Sequence, residues 1–215
     1  MPRASRLLLL ALALLTACAG VGRSSGGADV ETARLQARIA ARARAHLGHA
    51  GAFRVGAERF AADCSGFVEA VYEAEGVPLR RLMHEVAPKE RSGVSALWRT
   101  VERYGEVLPP DAWPVPGDLV FWHDTFDRDR NGRRGDRLTH MGVVLWVDDD
   151  TIAFVHRGSK AVQRGSMTVV RRSDRRDGDG NELNTPLRFR DGKGGPVLAA
   201  ELLAGYGRID PGKVR

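Results

Sequence analysis

One cysteine and two histidines are the residues of this chain with the most chemistry in their types and spacing. Cys64 stands in Asp63-Cys64-Ser65-Gly66-Phe67-Val68, where Phe67, Val68, Val71 and Tyr72 place apolar side chains on one face of a helix that begins near the thiol. A thiol at a helix N-terminus lies beside unpaired backbone N–H groups and the positive end of the macrodipole. Both favour the thiolate, which is the nucleophilic form. His140 and His156 follow far downstream in strand-like surroundings, as a Cys–His site assembled by tertiary structure requires. A lone cysteine is more often a small buried hydrophobe. The residues around this one weigh against that reading.

The elements that must position these groups fall into two halves. Val30 to Leu47 and Cys64 to about Glu75 carry helical patterns, and Ser95 to Tyr104, with Leu97, Trp98 and Val101 apolar, predicts another helix. Pro78 to Leu97 is ambiguous between loop and short helix. After the turn-rich Pro109-Pro110 and Pro114 to Gly117, the pattern changes to strands at Leu119–Trp122, Met141–Val147, Ile152–His156 and Met167–Val170. Asp148-Asp149-Asp150 reads as a turn between two of them. Helices first and consecutive strands afterwards predict an α+β domain with an antiparallel sheet. His140 then stands at a strand start facing the helix end, and His156 ends the next strand, where antiparallel pairing can bring it beside His140. Arg171 to Arg190 reads as a long exposed loop, and Val197 to Tyr206 as an apolar run that packs as helix or strand.

Four motifs in order resemble the NlpC family of cell-wall peptidases. They are Asp63–Val68 with Val71-Tyr72 and Gly76-Val77-Pro78-Leu79, then Pro116-Gly117-Asp118-Leu119-Val120-Phe121-Trp122, then Thr139-His140-Met141-Gly142-Val143-Val144, then Phe154-Val155-His156. They cover roughly Ala40 to Val170. The resemblance implies a papain-like core with the nucleophile helix packed on an antiparallel sheet. It also implies hydrolysis of amide bonds in peptidoglycan stem peptides, with Cys64 as nucleophile, His140 as general base and His156 as the polar group that orients His140. Asp63 and Ser65 match positions that bind the substrate's free amine and stem peptide, although Ser65 could equally cap the helix. The Cys64 backbone N–H is a candidate oxyanion donor. His46, His49, His84 and His123 match no motif and are expected to be structural or exposed.

The amino terminus suggests where this chemistry takes place. Arg3 and Arg6 precede an apolar run from Leu7 to Leu15 that is too short to span a bilayer but suits a signal-peptide core. It ends in Leu15-Thr16-Ala17-Cys18, which resembles a bacterial lipobox in which Cys18 is lipidated. Ala19 resembles the pattern of lipoproteins sent to the outer membrane, facing the periplasm. The expected organisation is a signal peptide over 1–18, a flexible tether over 19–30 and a single catalytic domain over 31–215. That domain carries an insertion at 124–138 and a C-terminal extension at 171–215. With Cys18 acylated, Cys64 has no disulfide partner. The net charge of +6 and pI near 9.9 suit attraction to an anionic cell wall. An exported chain without an aromatic-basic binding motif is not expected to bind nucleic acid. The expected partners are stem peptides and a membrane reached through the lipid anchor, with the protein a monomer.

The insertion before His140 has a pattern of its own. Asp127-Arg128-Asp129-Arg130-Asn131-Gly132 follows the first half of a calcium loop, with Asp136 available as a later ligand. Leu138 occupies the twelfth position, where an acidic ligand belongs, and arginines crowd the loop. A polar hairpin loop accounts for the same residues. No cofactor is required, and a structural calcium is the one metal expected. In either case the loop should wall one side of the cleft. Three functions compete: a stem-peptide endopeptidase cutting bonds such as D-glutamyl–diaminopimelate, a CHAP-type amidase or acyl-transfer variant on the same fold, and a non-enzymatic wall-binding lipoprotein.

Overall fold

A computed structural model describes residues 25–188 and 195–214. The expected signal peptide, its Cys18 and residues 19–24 of the expected tether lie outside the described residues. Residues 25–30 do not form a tether: helix α1 spans Ser25–Ala45. Once the Ala/Arg/Leu-rich segment has nucleated, extending it by a turn costs little, because propagation adds one hydrogen bond per residue ordered. α1 buries Leu35, Ile39 and Ala43, one per turn, which fixes the face it turns to the core.

A short hairpin follows, β1 (Phe53–Val55) and β2 (Glu58–Phe60), which lacks enough alternation to be seen in the sequence. Helices α2 (Cys64–Glu73), α3 (Leu79–Val86) and α4 (Gly93–Tyr104) complete the helical half. Strands β3 (Gly105–Leu108), β4 (Leu119–Trp122), β5 (His140–Asp148), β6 (Thr151–Arg157) and β7 (Val162–Thr168) come next. The chain closes with β8 (Pro186–Arg188), β9 (Val197–Leu198), the single turn α5 (Ala199–Leu202), β10 (Leu203–Ile209) and a 3₁₀ turn (Pro211–Lys213). The main sheet runs β3-β10-β4-β5-β6-β7, antiparallel throughout. The α+β architecture with the Cys64 helix on an antiparallel sheet is therefore present.

Period-two alternation divides the core. Leu119, Phe121, Met141, Val143 and Val155 face the helices and meet Phe67, Val71, Leu97 and Val101. Val120, Trp122, Val144, Ile152 and Phe154 face the other way and are covered by Val197 and residues of α5. Each fully buried side chain of this size stabilises the fold by roughly 1.5–3 kcal/mol. The C-terminal segment is therefore more than an appended extension: β10 lies inside the sheet between β3 and β4. The expected long loop after Arg171 is organised as well. Asn184, fully buried, accepts from Thr168 N–H and donates to the carbonyls of Arg171 and Asp174. Of the expected strand at Met167–Val170, only Met167 and Thr168 are strand, ending β7, which starts at Val162; Val169 and Val170 lie beyond it.

The helices are pinned to the sheet through Pro116-Gly117-Asp118. Gly117 has φ +91, and a Cβ there would come 2.3 Å from the Gln36 carbonyl oxygen of α1, so only glycine fits. Tyr72 of α2 donates to the Gly117 carbonyl at 2.9 Å. The Asp118 carboxylate, fully buried, accepts from Gln36 Nε2 of α1 and from both Nε and an Nη of Arg208 of β10. Burial raises the Asp118 pKa, and the Arg208 guanidinium pulls it back. Stripping partners from such a buried charge typically costs about 3–5 kcal/mol. The motif is a structural lock between layers.

Candidate active site

Asp63 builds the start of α2. Its backbone is extended, and its Oδ1 accepts from Gly66 N–H at 2.8 Å and from Ser65 Oγ at 2.9 Å. Asp63, rather than Ser65, is thus the helix cap. Gly66 is needed because a Cβ there would meet the Ala61 carbonyl oxygen at 2.2 Å, where the chain turns into the helix. Cys64 is the first helical residue, partly buried and unpaired.

Its acidity differs from the expectation. Burial pushes the Cys64 thiol up to about 11, and the Asp63 carboxylate adds to the rise. Backbone N–H groups of Met141, Ser65 and Cys64 itself pull the other way without prevailing. The cap carboxylate sits on the positive end of the helix, and the cost of desolvating a sulfur anion outweighs the field that remains. At neutral pH Cys64 is a thiol that needs a base. The expectation of a thiolate favoured by the helix end is corrected.

Strand register brings the two histidines together. Trp122 opposes His140 across β4–β5, and Gly142 opposes His156 across β5–β6. The two histidines are therefore diagonal neighbours on one side of the sheet. His140 Nε2 lies 2.8 Å from His156 Nδ1, with the rings edge-to-face and centroids 5.0 Å apart. Gly142 makes this approach feasible, since a Cβ there would lie 2.6 Å from the Val155 carbonyl oxygen and 3.1 Å from His156 Cβ. Trp122 stacks on His140 with centroids 5.7 Å apart, and Phe154 sits 5.4 Å from His156. In this apolar setting burial lowers His140 to about 4, and burial together with His140 lowers His156 well below the usual range. Both rings are neutral at pH 7. With Nε2 of His140 engaged by His156, Nδ1 is the nitrogen left for the thiol, and the Met141 N–H that reaches the sulfur brings this peptide against Cys64.

Cys64, His140 and His156 line one hollow of about 600 Å³. A second hollow of about 580 Å³, bordered by Ser65, Glu90, Arg91 and Arg128, adjoins it. Asp63, Cys64, Phe126 and Thr139 border both, which puts Cys64 at the waist of one groove. A thiol there can pass its proton to a neutral imidazole and attack a carbonyl carbon laid along the groove.

The insertion walls the groove through Phe126 and Arg128. Its base is closed by Thr125 and Thr139, whose hydroxyls lie 2.8 Å apart, and by Leu138 N–H donating to His123 Nδ1. Arg188 of β8 donates to the Asp124 carbonyl, so the C-terminal segment holds this wall in place. Carboxylate oxygens of Asp127, Asp129 and Asp136 lie within 4.8 Å of one another. Asn131, the fourth expected ligand, instead spends its Oδ1 on Arg133 N–H. Asp127 is also engaged, accepting from Asn131 and Gly132 N–H groups. If calcium joins this loop, millimolar calcium raises the melting temperature and Asp127→Ala/Asp129→Ala removes the response. A flat response up to several millimolar assigns the loop to turn chemistry alone.

The other histidines stay apart from the site. His46 packs edge-on against Phe53 and Phe67, His49 against Phe53, and His123 serves the insertion's base. Sequence reasoning missed Trp122 as the floor under His140, Phe126 at the groove waist and Gln163, which contacts His156. Gln163 has no local signal; only the β6–β7 register, in which it opposes His156, finds it.

The sequence profile of the NlpC/P60 family matches residues 50–175. The chain belongs to the NlpC/P60 family. The matched span contains Cys64, His140 and His156, whereas α1 and β10 lie outside it. Among solved structures, a protein similar to lipoprotein, of the NLP/P60 family, from Staphylococcus aureus is 20% identical over 60% of this chain, with a TM-score of 0.36. The chain spans 35% of that protein's length. A P60 domain from an M. avium paratuberculosis antigen is 15% identical over 84% of this chain and 97% of its own, with a TM-score of 0.42. No curated protein matches the sequence.

Proposed function

We propose that the protein is a cell-wall cysteine peptidase that hydrolyses stem-peptide amide bonds of peptidoglycan, such as D-glutamyl–diaminopimelate. The observation that carries this reading is that Cys64 lines one hollow with a neutral His140, itself hydrogen-bonded to His156, in an NlpC/P60 chain. The thiol proton passes to His140 Nδ1 as the sulfur attacks the carbonyl carbon, and the Cys64 backbone N–H faces the developing oxyanion. Collapse expels the amine, protonated by His140, and leaves a thioester that water hydrolyses with His140 again as base. His156 orients the ring. Asp63 spends Oδ1 on the cap, leaving Oδ2 to attract a free amine, and Ser65 borders the same side of the groove.

Mass spectrometry of muropeptides digested by the protein tests the proposal. The expected product carries a new amino terminus at diaminopimelate. Release of intact stem peptides from the sugar would establish the amidase reading instead, and an unchanged digest would leave a wall-binding protein. Anchorage through a lipidated Cys18, at the periplasmic face of the outer membrane, belongs to the same proposal and rests on the lipobox-like Leu15-Thr16-Ala17-Cys18. Cys18→Ser is expected to release the protein from membranes. Persistence on salt-washed membranes would refute the anchor.

A further inference from the structure

The histidine pair does not end at His156. Gln163 lies directly across the β6–β7 ladder from His156, and its side-chain amide nitrogen is 3.1 Å from His156 Nε2. Gly158 keeps this place open, because a Cβ on it would come 2.8 Å from the Gln163 amide. A chain of side chains therefore runs from Gln163 through His156 to His140, whose Nδ1 it leaves unengaged in the hollow that Cys64 also lines.

Each ring in that chain carries one proton, so its direction is a choice between two tautomeric states. If the Gln163 amide donates to His156 Nε2, then His156 donates from Nδ1 to His140 Nε2. The proton of His140 then lies on Nδ1, where the thiol must deliver its own, and His140 cannot act as base. Half a turn of the amide presents Oε1 to His156 instead. His156 then donates from Nε2, His140 donates from Nε2 to His156 Nδ1, and His140 Nδ1 keeps its lone pair for Cys64. When that nitrogen takes the thiol proton, the imidazolium's Nε2–H is already donated to His156 and the charge is shared along the chain to Oε1. Proton and electron pair balance: S–H breaks, Nδ1–H forms, and the sulfur pair goes to the carbonyl carbon.

We propose that Gln163 is a positioning residue that selects the tautomer of the histidine pair, accepting from His156 Nε2–H through Oε1 in the reactive state. The proposal rests on the reading of Cys64 as nucleophile and His140 as base. Gln163 is exposed, so substitutions there leave the fold in place. Glutamate can only accept and lysine can only donate. Gln163→Glu is expected to keep kcat within about threefold of the parent, whereas Gln163→Lys lowers kcat on the order of 10- to 100-fold at nearly constant KM. Histidine ¹⁵N spectra provide a readout that a merely structural role would not move. Gln163→Glu should show His140 protonated on Nε2, and Gln163→Lys should show it on Nδ1. Gln163→Leu, which neither accepts nor donates, should fall between the two in kcat. Equal kcat for the Glu and Lys variants, or the same His140 tautomer in both, overturns the role of Gln163 while a dead Cys64→Ala leaves the nucleophile standing. An active Cys64→Ala overturns the nucleophile reading and this proposal with it.

Discussion

Cys64→Ala is expected to abolish hydrolysis while leaving the melting temperature nearly unchanged. The substitution removes one sulfur atom from the first turn of α2, at a partly buried position whose cap is supplied by Asp63. Surface-proximal changes of this kind usually stay within about 1 kcal/mol of the parent. In the proposed mechanism, by contrast, the chemistry loses its nucleophile, and removing the nucleophile of a catalytic unit typically costs on the order of 10⁶ in turnover. Cys64→Ser should be equally inactive, because a hydroxyl in the same setting is a far weaker acid than the thiol. Muropeptide release and thermal melting measured on the same samples check both halves, and substantial turnover in the alanine variant would end the cysteine mechanism. With the thiol raised to about 11, alkylation by iodoacetamide should be slow at neutral pH and accelerate with pH toward that value.

His140→Ala should cost roughly 10⁴-fold or more, and His156→Ala much less. In the proposed mechanism the base handles the proton in every step, whereas water can partly replace His156 Nδ1 as the acceptor of the His140 Nε2–H. Equal, mild losses at the two positions would assign the base elsewhere. The pH profile separates this site from one with a preformed thiolate–imidazolium pair. Neutral His140 is present above about pH 4 and the thiol below about pH 11, so kcat/KM should stay level across the neutral and mildly alkaline range. An ion pair would instead lose activity as its imidazolium deprotonates. Stability follows the same histidines. Their folded-state values lie below 6.5, so on acidification the unfolded chain binds protons first. The stability they contribute is complete above pH 6.5 and is lost as the pH falls toward 4, which thermal melts across that range would register.

The candidate site was legible where a single local pattern determines geometry. The apolar stripe Phe67, Val68, Val71, Tyr72 placed Cys64 at a helix start, and alternation after His140 placed that residue at a strand start. The calcium-like pattern was legible as a turn-rich loop, and its position before His140 was enough to predict a groove wall. The run from Val197 to Tyr206 was not legible. It is apolar because β10 is buried on both faces inside the sheet and α5 on one, and a continuous apolar stretch carries no period to tell helix from strand.

What the sequence determined by itself is the inventory and its order: a thiol at a helix start, the Pro116-Gly117-Asp118 motif, and two histidines on consecutive strand patterns. What only the tertiary structure decided is the state of those groups. The acidity of Cys64 depends on how much solvent the packed groove leaves around it, and there burial and the cap's own charge overrule the helix end. The neutrality of His140 depends on its burial, with the Trp122 ring stacked on it, and its contact with His156 and the contact of His156 with Gln163 depend on strand register. Desolvation and cross-strand contact are sums over residues far apart in the chain, so no window of sequence contains them.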